Sequence, residues 1–86
     1  MSRFTESADF SFTFVETIAA PETFTFPKAV GQFNVTADFN CTVQWDKNTG
    51  DPYPLLSGES LTVPCITTRI FIVPDGGGQI RIMGLG

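Results

Sequence analysis

From Phe33 to Trp45 every odd position is apolar (Phe33, Val35, Ala37, Phe39, Cys41, Val43, Trp45) and every even one is polar. Successive side chains of a strand point to opposite faces, so a period of two predicts β-structure with one buried and one wetted face. The stretch is thirteen residues long, against about 5–6 for an ordinary strand, and Asp38 and Asn40 favour turns, so a break is expected near Asp38–Asn40. The same alternation runs through Asp9–Val15, where Phe10, Phe12 and Phe14 share a face, and in miniature through Thr23–Phe26. Pro27 is expected to stop that second run, because it has no N–H to give to a ladder.

Turn formers separate the remaining segments. Residues 46–54 (DKNTGDPYP) predict an exposed loop, Ser57-Gly58-Glu59 a turn, and Asp75-Gly76-Gly77-Gly78 a hairpin turn that uses the positive φ angles open to glycine. Between them lie a short strand at Ser60–Val63, a longer one at Thr68–Val73 and a last one at Gln79–Met83 with Ile80 and Ile82 inward and Arg81 outward. The run Ile70-Phe71-Ile72-Val73 predicts burial on both faces. Only Val15–Ala20 has a composition suited to a helical turn. About eight short strands with turns between them predict an all-β fold, a small antiparallel β-sandwich or jelly roll.

No linker divides residues 1–86, so the chain is expected to be a single β domain. The one compositional shift, Ala19-Ala20-Pro21, leaves residues 1–20 as the first strand or as an N-terminal arm, and places the sandwich core at residues 23–83. As an arm, the Phe10, Phe12 and Phe14 face would pack on a neighbouring subunit; as a first strand, on its own core.

Composition agrees with strands: Thr, Val and Ile abound, there are nine Phe, and Leu, Ala and Lys are few. A domain of 86 residues buries only about 60–65% of its unfolded surface, so a supplementary disulfide, metal or subunit contact is a natural expectation. The net charge of −4, with scattered Lys and Arg, disfavours nucleic acid and anionic membranes as partners. Acidic residues interrupt the N-terminus, so no signal peptide is expected, and no segment approaches the ~20 apolar residues that span a bilayer. Cytoplasmic synthesis follows as an expectation. It favours reduced core thiols at Cys41 and Cys65 over a disulfide between them, and it makes the sequons at Asn34 and Asn40 fortuitous.

Candidate chemistry is sparse. With no His in the chain, the usual base for a Ser, Thr or Cys nucleophile is missing, and Ser57-Gly58-Glu59-Ser60 lacks the spacing of a nucleophile elbow. Asp38, Asp46, Asp51 and Glu59 are available as paired carboxylates, but nothing in the sequence brings two together. No Cys or carboxylate spacing suits zinc or calcium, because Gly50 and Ser57 stand where a calcium loop beginning at Asp46 needs oxygen ligands. No catalytic residue, no metal and no cofactor are expected. Trp45 falls on the apolar face and belongs to the core, whereas Tyr53, between two prolines, is expected to be exposed, where it could stack on a sugar, anchor the loop or form part of a protein interface.

The C-terminal half, with VQWD, PLLSGESLTVPC, TRIFIV, a glycine turn and QIRIMG, resembles small β-sandwich virion proteins of tailed bacteriophages, the match being carried by Leu55–Ser60 and Gln79–Gly84. That resemblance implies a non-enzymatic capsid decoration or cement protein in the virion, assembled in the host cytoplasm. Its partners would be copies of itself in a homotrimer and the major capsid protein, met through Phe10, Phe12, Phe14 and Tyr53. A tail, adaptor or fibre component, or a carbohydrate-binding module, is the alternative it leaves open.

Overall fold

A computed structural model describes the backbone of residues 3–6, 11–46 and 50–86, and side chains from residue 12 onward within those ranges. The described residues form nine strands: β1 (Arg3–Glu6), β2 (Ser11–Ile18), β3 (Glu22–Val30), β4 (Gln32–Ala37), β5 (Asn40–Trp45), β6 (Tyr53–Leu55), β7 (Ser60–Val63), β8 (Thr67–Asp75) and β9 (Gly78–Leu85). One sheet has the order β1-β2-β9-β4-β7 and the other β3-β8-β5-β6. Neighbouring strands pair antiparallel throughout. Apart from the β1–β2 and β5–β6 connections, every link crosses from one sheet to the other, which is the winding of a jelly roll. The expected all-β sandwich is the observed fold.

The long alternation breaks where expected: β4 and β5 flank a turn at residues 38–39 and lie in different sheets. Two inward stripes result, Phe33-Val35-Ala37 and Cys41-Val43, with Trp45 partly buried at the end. Three expectations need correction. Val15–Ala20 holds no helical turn, because β2 pairs with β9 as far as Ile18↔Gly78. Pro27 does not end β3, which continues to Val30 with a register shift between Thr25 and Val30. β3 is an edge strand, where a proline and an irregularity cost no ladder hydrogen bond. Finally, β8 is buried on one face only: Ile70 and Ile72 point inward while Phe71 and Val73 are exposed.

The sheets are held apart by rings. In register across the five-stranded sheet, Gly84 lies between Phe12 and Phe33. The missing side chain at Gly84 leaves a gap that Phe26 fills from the opposite sheet. A Cβ there would come within 2.8 Å of Phe26 Cε1 and of Val30 Cγ1. Phe26 also packs on Phe12 and Phe14, with centroids 6.2 and 5.6 Å away, and Phe14 packs on Phe24 at 5.3 Å. Cys41 and Cys65 are both free, and burial pushes the Cys41 thiol above its ordinary range, which leaves it an inert apolar side chain.

Gly84→Ala is expected to destabilise the domain by about 1–3 kcal/mol in urea unfolding, the usual cost of overpacking a core. Gly31→Ala, whose Cβ would meet Leu85 O at an ordinary 3.6 Å, is expected to stay within about 0.5 kcal/mol of the parent. Equal effects of the two substitutions would contradict this packing.

Candidate ligand-binding site

The space between two sheets is where a β-barrel usually takes a ligand. Here the inward positions carry Phe12, Phe14, Phe24, Phe26 and Phe33 with aliphatic neighbours, so that space is filled by the core itself. Among the described residues no group of three or more His, Cys, Asp or Glu stands ready to hold a metal ion. Besides the buried hydroxyl of Thr67, a pair of carboxyl side chains enters the interior. Glu16 follows Phe12 and Phe14 on the inward face of β2, and Glu22 precedes Phe24 and Phe26 on that of β3. Their backbones pair with Ile80 and Ile72 respectively.

Glu16 is 9% exposed. The Glu22 carboxyl is raised above its ordinary range, first by its own burial, then by the charge of Glu16 and by a hydrogen bond between the two carboxyls. Oε2 of Glu22 is buried without a hydrogen-bond partner. Burial and the neighbouring Glu16 charge thus both disfavour the ionised form of Glu22. The sequence contained the signal for this pair, since both glutamates fall on the parity of the phenylalanine face. The acids that stood out in the sequence are Asp38, Asp46, Asp51 and Glu59. The fold sets these on separate turns and strand ends: Asp38 after β4, Asp46 after β5, Asp51 before β6 and Glu59 before β7.

A more open arrangement lies on the outer face of the four-stranded sheet. Phe71, on the interior strand β8, is flanked in register by Thr23 of β3 and Gln44 of β5, and its ring is 39% exposed. Beside it, Trp45, Asp46 and Arg69 complete a hollow of about 320 Å³. Trp45 is braced from behind by Phe33, edge to face at 5.6 Å. Asp46 accepts the backbone N–H of Thr68 at 3.1–3.2 Å and that of Arg69 at 3.1 Å. Burial alone would raise the Asp46 carboxyl, but those N–H groups and the Arg69 guanidinium outweigh it and hold the group below its ordinary range. The Gln44 side-chain amide donates to Gly50 O at 3.3 Å and ties down the wall of the hollow. The site thus offers an aromatic floor, a fixed anion, a cation and neutral hydrogen-bonding groups.

The residues expected to form an interface are placed differently from one another. Phe12 and Phe14 are buried, at 0% and 7% exposure, and their area is already used against Phe24 and Phe26 of the same chain. In this fold they offer no surface to another subunit. Phe10 lies outside the described residues. Tyr53, on the edge strand β6 opposite Val43, is 45% exposed.

No protein-family model matches the chain, and no curated protein matches it in sequence. Solved structures do resemble it. A cupin superfamily protein from Desulfitobacterium hafniense superimposes with a TM-score of 0.70 at 15% identity, over 99% of this chain and 75% of that one. A cupin-2 domain protein from Shewanella frigidimarina gives 0.65 at 11% identity, over 100% and 80%. A protein from Neisseria meningitidis gives 0.67 at 11% identity, over 100% and 84%. The fold is therefore a cupin-like β-sandwich. These bacterial neighbours overturn the resemblance to tailed-phage virion proteins, and with it the capsid decoration or cement role, the tail, adaptor and fibre alternatives and the virion location. The residues behind that resemblance, Leu55–Ser60 and Gln79–Gly84, are turn and strand segments that any sandwich of this winding requires.

The carboxyl pair has a pH signature. Because the folded Glu22 carboxyl is raised, the stability it contributes is fully present below its unfolded pKa and is lost as pH rises through the folded value. Glu22→Gln keeps the neutral hydrogen-bonding form at every pH. At neutral pH the variant is expected to melt at a higher temperature than the parent, with the difference closing as pH falls to where Glu22 is protonated in both folded and unfolded states. Calorimetric melting across that pH range checks the sign; a less stable variant at neutral pH would refute the account.

Proposed function

We propose that the chain is a cupin-type small-molecule-binding domain, non-catalytic, whose ligand lies in the hollow on the outer face of the four-stranded sheet and not between the sheets. The observation that carries this reading is Phe71, a bare aromatic ring on an interior strand, bordered by Arg69, Asp46 and Gln44 in one concavity. A few polar groups around an apolar surface are the usual make-up of a small-molecule site. The cupin-like fold accords with such a role, and the ring-filled interior explains why the site is external.

The residue types set the ligand's shape and edge chemistry. Phe71 offers a face for a flat ring, and Arg69 can engage an anionic or carbonyl edge through its forked donors. Asp46 is engaged by backbone N–H groups and stays ionised at neutral pH, which makes it a fixed anchor and a poor proton shuttle. Hence the reading as a binding site and not a reaction centre.

Trp45 is the sole tryptophan, so its indole N–H resonance reports on the hollow directly. In NMR titrations with flat aromatic acids and amides, benzoate and benzamide serving as a matched pair, saturable shifts of that resonance are expected. Phe71→Ala and Arg69→Gln should each weaken binding about tenfold or more, with melting temperatures little changed because both side chains are on the surface. Absence of saturable shifts across the set, or shifts unaffected by Phe71→Ala, would overturn the proposal.

A further inference from the structure

On the opposite side of the molecule, the outer face of the five-stranded sheet carries a second hollow of about 320 Å³, bordered by Thr36, Asp38, Ser57, Gly58, Gln79 and Arg81. Its walls are rigid. Gly58 N donates to Ala37 O at 2.9 Å, Asp38 N to Gln79 O at 3.1 Å, and Ser57 N to Asn40 Oδ1 at 2.8 Å. The turn carrying Ser57 and Gly58 is closed by Glu59 N to Leu56 O and by Leu56 N to Glu59 Oε1, both at 3.0 Å, and Gly58 takes the left-handed φ of +82° that such a turn demands. Thr36 is locked into an amide and hydroxyl ladder with Asn34 and Ser60.

Residues of opposite charge border this preformed space. The Asp38 carboxylate accepts Gln79 N–H through Oδ1 at 2.8 Å and lies over Gly78, where a Cβ would run into it and into the Phe39 ring. Gly78 therefore makes room for the carboxylate. Arg81, two residues beyond Gln79 and on the same face of β9, is exposed and has no ion pair with Asp38 or with another acid among the described residues. A cation and an anion that border one hollow without an ion pair between them, with the Ser57 hydroxyl and the Gln79 side-chain amide hydrogen-bonded to nothing among the described residues, leave a space with a charge of each sign on its rim. A single ion would satisfy one charge and be repelled by the other. A molecule carrying both charges a few ångströms apart satisfies both, with a hydrogen bond at each end.

We propose that this hollow binds a small zwitterion, a free α-amino acid, with its carboxylate on the Arg81 guanidinium and its ammonium on the Asp38 carboxylate. The site is separate from the Phe71 hollow and does not depend on the function proposed for it, so either stands if the other fails.

The test is an NMR titration of the intact chain with each of the natural L-amino acids, and with acetate and methylammonium as single-charge probes. At least one amino acid is expected to shift the backbone amide resonances of Gly58 and Gln79 saturably, with Kd about millimolar or tighter, while neither single-charge probe does so at the same concentrations. Arg81→Gln and Asp38→Asn should each weaken that binding about tenfold or more. Asp38→Asn keeps the Oδ1 acceptor for Gln79, and Arg81→Gln alters an exposed side chain, so melting temperatures report that both variants fold; should Asp38→Asn unfold, Arg81→Gln decides alone. The proposal is overturned if no amino acid gives a saturable shift, if acetate shifts these resonances as strongly as the amino acids do, or if Arg81→Gln leaves binding intact.

Discussion

Phe26 reaches from the four-stranded sheet into the gap that Gly84 leaves in the other, and the arrangement of the remaining core rings follows from that insertion. Phe12 and Phe33 border the gap in register, Phe14 stacks obliquely against both Phe24 and Phe26, and Val30 closes the far side. A small domain has little apolar area with which to offset chain entropy. Large rings that interlock across the two sheets supply that area at the dense packing of a protein interior.

The inward positions of the described residues are rings and aliphatic side chains packed as one core, and the two outer faces differ in chemistry. The four-stranded sheet shows Phe71 and Val73 beside Arg69 and Asp46. The five-stranded sheet shows amides and hydroxyls in hydrogen-bonded rows, Asn34 with Ser60 and Thr62 at 3.0 and 2.9 Å, ending at Arg81 and Asp38. The Glu16–Glu22 pair brings two carboxyls to the inner face, where Thr67 is the other buried polar side chain among the described residues. The pair sits where the β2–β3 crossover brings two strands of different sheets face to face.

Phage virion sandwiches and cupin-like domains share a demand for short strands, tight glycine turns and alternating apolar positions. Segments such as Leu55–Ser60 and Gln79–Gly84 meet that demand without specifying a function, which is why likeness in those segments pointed to the right architecture and the wrong role. The side chains proposed to bind ligands are ones the alternation turns outward, and Phe71, Arg69 and Arg81 lie within stretches that look like plain strand.

The sequence by itself determined, through its alternation, the β-class and the inward face of β4, β5 and β9, and, through its turn formers, the break near Asp38 and the turns at Ser57–Glu59 and Asp75–Gly78. These are local properties: a period of two follows from the geometry of a single extended backbone. The parity of Glu16 and Glu22 was equally local and equally legible. What only the tertiary structure decided is non-local. The meeting of Glu16 with Glu22, the exposure of Phe71 and Val73, the continuation of β3 past Pro27 and the burial of Phe12 and Phe14 in their own chain all depend on which strands become neighbours. In a jelly roll, partners lie far apart in sequence. Strand pairing there is settled by how the rings of two sheets fit together, and by the one glycine that admits Phe26.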